Sequence, residues 1–348
     1  MGYRKSARCE AVRFLWIEAI KFYIKRLRLA FNESILKAAG RLKFLARRNE
    51  SMKKVISILL ALLLFLSVFA YAEEKTTIVA SFYPVYVMAK NVLNGVEGVE
   101  LLSMTAPSTG CLHDYQLLTS DMRALSRASA LLINGAGMEG FLPDVTAQLP
   151  ALEVIDCSKG IALLQGAEEE HAHHDHEHGE INAHIWLSPK NAIQMVKNMA
   201  EGLIPLFPDA EEKIRRNTEE YIARLEQVDG ELREAISALP HKQIVTFHES
   251  FPYFAREYGL EIVAVIALEP DEPLSPRMLG EVVEKVRLAG NPPLFSEPQY
   301  ESAALRAISL ETGAKSYELD PLVTGKGEMT AYEDTMRKNL AVLLEALQ

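Results

Sequence analysis

Positive charge is scarce in most of this chain. The whole sequence of 348 residues has 37 Lys+Arg against 47 Asp+Glu, yet 13 of the cations fall in the first 51 residues beside only 4 carboxylates. From Glu73 onward the count is 22 Lys+Arg against 43 Asp+Glu, a formal −21. A body that acidic argues against nucleic acid as a partner and favours solubility and the attraction of cations. Cysteine is rare too: of the three, only Cys111 and Cys157 lie in the acidic body. The apolar run Val55–Ala70, about 16 residues, is a little short for a ~30 Å hydrocarbon core. No His-Glu-x-x-His occurs; His248-Glu249 is followed by Ser250-Phe251-Pro252, which would disrupt a zincin helix.

The front of the chain reads as a targeting segment. Lys53 and Lys54 form a basic start, Val55–Ala70 an apolar centre, and Ala70-Tyr71-Ala72 a small-x-small cleavage site. Residues 52–72 are therefore expected to be a signal peptide with Glu73 as the mature start, an uncleaved anchor being the alternative. No cysteine follows the run, which disfavours a lipid anchor there. Residues 1–51 are expected to be an upstream extension from an unused start. The alternative is a basic amphipathic helix, since Phe14, Ile17, Ile20, Ile24 and Leu27 recur at helical spacing.

The remaining chain predicts an α/β protein. Segments 77–82, 99–104, 130–134 and 153–157 read as buried strands, and so do 243–247, 261–266, 293–296 and 315–319. Helical patterns separate them, as in parallel βαβ units. Between the two sets, bracketed by Pro208 and Pro240, Ile214, Tyr221, Leu225, Val228, Leu232 and Ile236 fall at helical spacing. A helix over 209–239 would be a rod of roughly 45 Å. The expected architecture is two lobes, each a mostly parallel four-stranded sheet flanked by helices, joined by one long backbone helix. The lobes are placed at 73–208 and 240–348, with no visible sequence repeat between them.

Glu168 to Pro189 reads EEEHAHHDHEHGEINAHIWLSP. His171, His173, His174, His176 and His178 among carboxylates point to metal, because neutral imidazole is a strong ligand for late first-row cations. Residues 168–180 are expected to be a loop that gathers or senses zinc at low affinity. An ordered site needs other ligands. In open α/β sheets ligands bind beyond the carboxyl ends of strands, and four candidates stand there: His113, His184, His248 and Asp320. Three imidazoles and one carboxylate suit Zn²⁺. Taken singly, His113 could belong to a helix cap and His248 to a core; His241 is expected at the surface.

The segments CLHDYQLLTSDM (111–122), NAHIWLSPKNA (182–192), IVTFHESFPYFAREYGL (244–260), LFSEPQYE (294–301) and YELDPL (317–322) resemble the metal-binding solute receptors of ABC importers, zinc-uptake subgroup. The resemblance spans nearly all of 75–348. It implies two α/β lobes on one long helix with metal in the cleft, and it implies His113, His184 and His248 as the imidazole ligands with Asp320 as the carboxylate. Manganese receptors of that family tend to carry Glu at the position of His248, which favours zinc. A His/acidic loop before the second ligand is also typical of the zinc subgroup. Two departures stand out. Leu112 occupies a position where some zinc members have Glu, and Ser188 replaces the Asp of the His-x-Trp-x-Asp-Pro pattern. Ser188 is expected to cap the next helix, with Pro189 in its first position.

The resemblance further implies a non-enzymatic function: capture of Zn²⁺ outside the cytoplasmic membrane, in the periplasm or at the membrane surface, and delivery by a monomer to a permease and its ATPase. Glu297 is a candidate second-shell partner of a ligand imidazole. Cys111 could be a fifth donor, but a disulfide with Cys157 is preferred, two buried thiols being the alternative. Glu249 and Asp114 are expected to point to solvent. Tyr83, Tyr86, Phe251, Tyr253 and Phe254 are expected in the core and cleft wall. Two other functional classes remain open. One is a secreted zinc hydrolase with Glu249 or Glu297 as base; the other is a zinc buffer or adhesin without transport.

Overall fold

The most continuously apolar runs of the sequence become the inner strands of two sheets. In a computed structural model, Thr76–Ala80 (β1), Val99–Ser103 (β2), Ala130–Ile133 (β3) and Glu153–Asp156 (β4) form an all-parallel sheet of order β2-β1-β3-β4. Gln243–Thr246 (β5), Glu261–Val265 (β6), Leu294–Ser296 (β7) and Ser316–Glu318 (β8) form a second, β6-β5-β7-β8, also parallel. Every residue of β3 is buried, whereas the edge strands β2 and β8 are partly exposed. Strands covered on both faces need uninterrupted apolar side chains. The structure describes residues 75–105, 115–166, 181–266, 275–298 and 303–348, and 75–348 cluster as one compact unit. The signal-like segment 52–72, the stretch 1–51, His113, Cys111 and the histidines of 171–178 lie outside the described residues. Among those that are described, no helix is long and apolar enough to cross a membrane.

The helices are Tyr83–Val92 (α1), Thr119–Leu125 (α2), Leu142–Gln148 (α3), Pro189–Leu203 (α4), Glu211–Ser237 (α5), Pro252–Tyr258 (α6), Pro276–Leu288 (α7), Ala303–Thr312 (α8) and Ala331–Ala346 (α9). The expected rod is α5, 27 residues long, or ~40 Å. It starts later than the periodicity implies because Pro208–Ala210 turns as a 3₁₀ helix first. Its buried face carries the six predicted apolar residues, 214 to 236, and also Asn217 and Thr218. Asn217 is no error of patterning: its side-chain amide donates to the carbonyls of Val92 and Asn94, closing the end of α1. Ser188 caps α4 as expected, accepting from the Asn191 amide at 3.3 Å with proline in the first turn.

The spine helix is packed against α4, α9 and α1. One apolar core runs from the first sheet through α5 to Phe251, Tyr253, Leu319 and Tyr332 of the second lobe. A smaller core lies against the second sheet, around Val245, Val286, Leu294 and Ile308. Polar bonds also cross between the lobes. Asn91 of α1 donates to the Met329 carbonyl at 2.9 Å, and Arg224 of the spine reaches both Asn91 and Glu333.

Cys111, the expected disulfide partner of Cys157, lies outside the described residues. Cys157 stands as a free thiol, fully buried at the end of β4. Burial pushes its ionisation well up, helped by the negative charges of Glu139 and Asp156. A thiol held neutral in an apolar pocket is the inert kind.

Candidate metal centre

The carboxyl ends of both sheets are rich in polar groups that have left the solvent. His184 follows β4 and enters the 3₁₀ turn Ile185–Leu187. His248 lies two residues beyond β5. Both are 2 % exposed, and their rings meet edge-on with centroids 5.1 Å apart at 76°. Residues 64 positions apart in sequence, one from each lobe, thus share one buried spot. Trp186 tilts against His184 at 5.1 Å, and Phe82 packs edge-on to Trp186 at 5.1 Å. Aromatic walls of this kind fix the ring planes and exclude water.

Asp320 and Glu297 are supplied by the ends of β8 and β7. The backbone of Asp320 is gripped by Asn339, whose amide both accepts from its N–H at 2.9 Å and donates to its carbonyl at 2.8 Å. One carboxylate oxygen of Asp320 accepts from the Leu322 amide at 2.8 Å, in a turn where Leu322 has φ of 59°. Glu297 is buried and accepts from the Ser250 hydroxyl at 2.6 Å. Burial pushes its carboxyl up to about 7; the serine bond opposes this and the negative charge of Asp320 adds to it. The two carboxylates are thus close enough for the charge of one to act on the other. Tyr83 feels the same charge: burial raises its phenol, with Glu328 and Asp320 adding, while the Gly327 N–H donating at 3.1 Å opposes.

The structure therefore brings His184 and His248 together, and Glu297 separately feels the charge of Asp320. Among the described residues no group of three His, Cys, Asp or Glu closes around a common point. His113, the remaining expected imidazole, lies outside them, as do Cys111, Asp114 and the histidine run. Tyr83, Phe251, Tyr253 and Phe254 are buried in the core, and Tyr86 is half-buried against it.

The residue-by-residue reading missed three groups. Ser250 holds Glu297. In the first lobe Ser81, just past β1, donates to Glu139 at 2.7 Å, and the Asn134 and Gly135 amides also donate to that carboxylate. Asn182 contacts His184 directly. Asn182 falls within a motif segment, so its neighbourhood was visible; Ser81 and Glu139 have no local pattern that marks them.

Similarities to known proteins agree with this fold. The family description "ZnuA: Zinc-uptake complex component A periplasmic" matches residues 78–346. The chain is 33% identical over 309 residues to the zinc-binding lipoprotein AdcA of Streptococcus pneumoniae, covering 84% of this chain and 60% of that protein. It therefore spans about 60% of the length of these AdcA relatives. It is 31% identical over 284 residues to the high-affinity zinc uptake system protein ZnuA of Bacillus subtilis, covering 79% of this chain and 88% of that one. The solved Zn(II)-bound ZnuA-like domain of Streptococcus pneumoniae AdcA superposes with a TM-score of 0.66 at 28% identity, covering 78% of this chain and 99% of that one. With two parallel four-stranded sheets on one long helix and a family match over most of its length, the chain belongs to the ZnuA family of zinc-binding solute receptors.

Proposed function

We propose that the protein captures Zn²⁺ outside the cytoplasmic membrane in the cleft between its lobes and delivers it to an ABC-type importer. The observation that carries this reading is the meeting of His184 and His248, buried and edge to edge, from opposite lobes. His113 and Asp320 complete the proposed set of three imidazoles and one carboxylate. That set suits Zn²⁺, with nitrogen donors expected at roughly 2.0–2.1 Å. Zinc here is cargo. Four protein donors leave no position for an activated water, so capture rather than catalysis is the proposed activity. Glu297 acts behind the ligands, its Ser250 bond holding it in place.

The lobes are proposed at 73–208 and 240–348, with α5 inside the linking segment 209–239. A stiff helix packed against both favours small rocking over wide hinge closure. Residues 52–72 are proposed to export the chain, and 168–180 to gather zinc with His171, His173, His174, His176 and His178 at weaker affinity. The docked partners are a permease and its ATPase, met by a receptor monomer.

Calorimetric zinc titration of the wild type, of H184A and H248A, and of a variant lacking 168–180 tests the proposal. One tight site should survive loop removal and vanish in either histidine variant. Tight binding that disappears with the loop, or persists in H184A and H248A together, would place the site elsewhere.

A further inference from the structure

The side chain of Asn182 has only one amide orientation that fits its neighbours. Its NH₂ donates to the carbonyl of Glu249 at 2.9 Å, and its oxygen accepts from the backbone N–H of His184 at 3.0 Å. Flipping the amide would oppose two acceptors at one end and two donors at the other. With the oxygen so assigned, the atom 3.3 Å from His184 Nδ1 is an acceptor without a hydrogen. A hydrogen bond between them requires the proton on Nδ1. In a neutral imidazole the lone pair then lies on Nε2.

The backbone of Asn182 is tied as firmly. Its N–H donates to the Leu164 carbonyl at 2.9 Å. Its carbonyl accepts from the Tyr253 hydroxyl at 2.8 Å, which in turn accepts from the Leu164 N–H at 2.9 Å. Just outside this knot, Gln165 and Ile181 form an isolated antiparallel bridge. Asn182 is 4 % exposed. It stands between the first-lobe histidine and the residue after the second-lobe histidine.

We propose that Asn182 is the positioning residue that sets the tautomer of His184, holding the ring proton on Nδ1 so that Nε2 is offered to zinc, while its amide nitrogen ties that ring to the strand end carrying His248. The inference rests on the cleft reading of zinc capture, which it refines. Partners behind a ligating imidazole orient it and raise its basicity, and their removal typically lowers metal affinity by roughly 10–100-fold.

The test is ¹⁵N NMR of the histidine rings in the metal-free protein, together with zinc titration against a competing chelator. The His184 signals are assigned by their loss in H184Q. Wild-type His184 is expected to be protonated on Nδ1 and unprotonated on Nε2. N182A is expected to shift the ring toward the Nε2–H form and to weaken zinc by about 10–100-fold. N182D, whose carboxylate can accept from Nδ1–H, is expected to restore the tautomer and much of the affinity. A purely structural asparagine would lower the stability of N182A and leave the tautomer alone. Wild-type His184 protonated on Nε2, or an N182A protein with unchanged tautomer and unchanged zinc affinity, overturns the proposal. If N182A fails to fold, the wild-type tautomer and N182D still decide. A wild type that takes no zinc would defeat the receptor reading, while the tautomer measurement would judge Asn182 separately.

Discussion

The indole N–H of Trp186 donates across 2.8 Å to the carbonyl oxygen of Pro321, the residue that follows Asp320. The bond joins the first lobe to the segment that carries the proposed carboxylate ligand. Tyr332 of α9 returns the contact, donating its hydroxyl to the Trp186 carbonyl at 2.7 Å. Trp186 is fully buried. Substitution W186F keeps an aromatic ring but leaves the Pro321 carbonyl without this donor. A buried unsatisfied acceptor costs about 1–3 kcal/mol, and the smaller ring adds a void. Urea unfolding of W186F should show that loss, and zinc affinity should fall with it because Asp320 is less firmly placed. Unchanged stability and unchanged affinity would remove the indole bond from the account.

The two buried glutamates give a pH signature with a definite sign. Glu139 and Glu297 are each pushed up to about 7 from an ordinary value of 4.5, burial being the main cause in both. The folded protein therefore holds protons that the unfolded chain releases between pH 4.5 and 7. Their contribution to stability is full below 4.5 and is lost as pH rises toward 7. The loss is on the order of 1.4 kcal/mol per pH unit per group within that window. Substitution E139Q removes one of the two protons from this linkage. The stability of the metal-free wild type relative to E139Q should therefore decline from pH 5 to pH 7 and level off above. A difference that grows with pH would mean that Glu139 is held as the ionised form by its three donors.

All eight strands were legible because both sheets need unbroken apolar runs, and observed ends lie within a residue or two of the expected ones. The spine was legible because its buried face repeats at helical spacing over six residues. The 3₁₀ turn at Pro208–Ala210 was not, since periodicity alone does not distinguish a tight first turn. His184 and His248 could be nominated from strand ends, but their contact depends on how the lobes face each other. The Ser81–Glu139 and Ser250–Glu297 bonds were invisible for a similar reason: their partners lie 58 and 47 residues apart. They also occupy equivalent places, each serine following a lobe's first strand and each glutamate its third. The lobes thus share a plan in hydrogen bonding that their residues do not show as a repeat. Parity and compartment point to a disulfide for Cys157, but its expected partner Cys111 lies outside the described residues.

Arg224 is a spine residue that engages both lobes. Its Nε donates to Glu333 of α9 at 2.7 Å, another nitrogen donates to Asn91 of α1, and its guanidinium lies over the Tyr221 ring at 5.0 Å. The Glu333 side chain is 3% exposed and that of Arg224 39%. Substitution R224A leaves the carboxylate buried without its cation. Buried pairs broken from one side lose about 3–5 kcal/mol, and the half-exposed arginine lowers the expectation to about 1–3 kcal/mol. Adding E333Q to R224A should recover part of that loss, because the stranded charge is gone. Equal stability of R224A and of R224A with E333Q in denaturant melts would argue that R224A strands no costly charge at Glu333.

Gly325 lies where the segment after Asp320 crosses α1. A Cβ built there would sit 2.1 Å from the Tyr83 hydroxyl oxygen and 2.5 Å from the ring carbon bearing it. The ring cannot swing away freely: Tyr83 is buried, and its oxygen accepts from the Gly327 N–H at 3.1 Å. Substitution G325A must therefore displace either the ring or the backbone running back to Asp320. Overpacking of this kind costs typically about 1–3 kcal/mol. The same displacement should weaken zinc binding, since it shifts one proposed ligand relative to His184 and His248. Removing only the hydroxyl, in Y83F with G325A, should relieve little, because the ring carbon is also too close. Replacing the whole ring, in Y83A with G325A, should make the added methyl harmless relative to Y83A alone. The five melting curves, wild type included, read with chelator titrations, test the packing; a G325A protein as stable and as zinc-avid as the wild type would show that the crossing adjusts without strain.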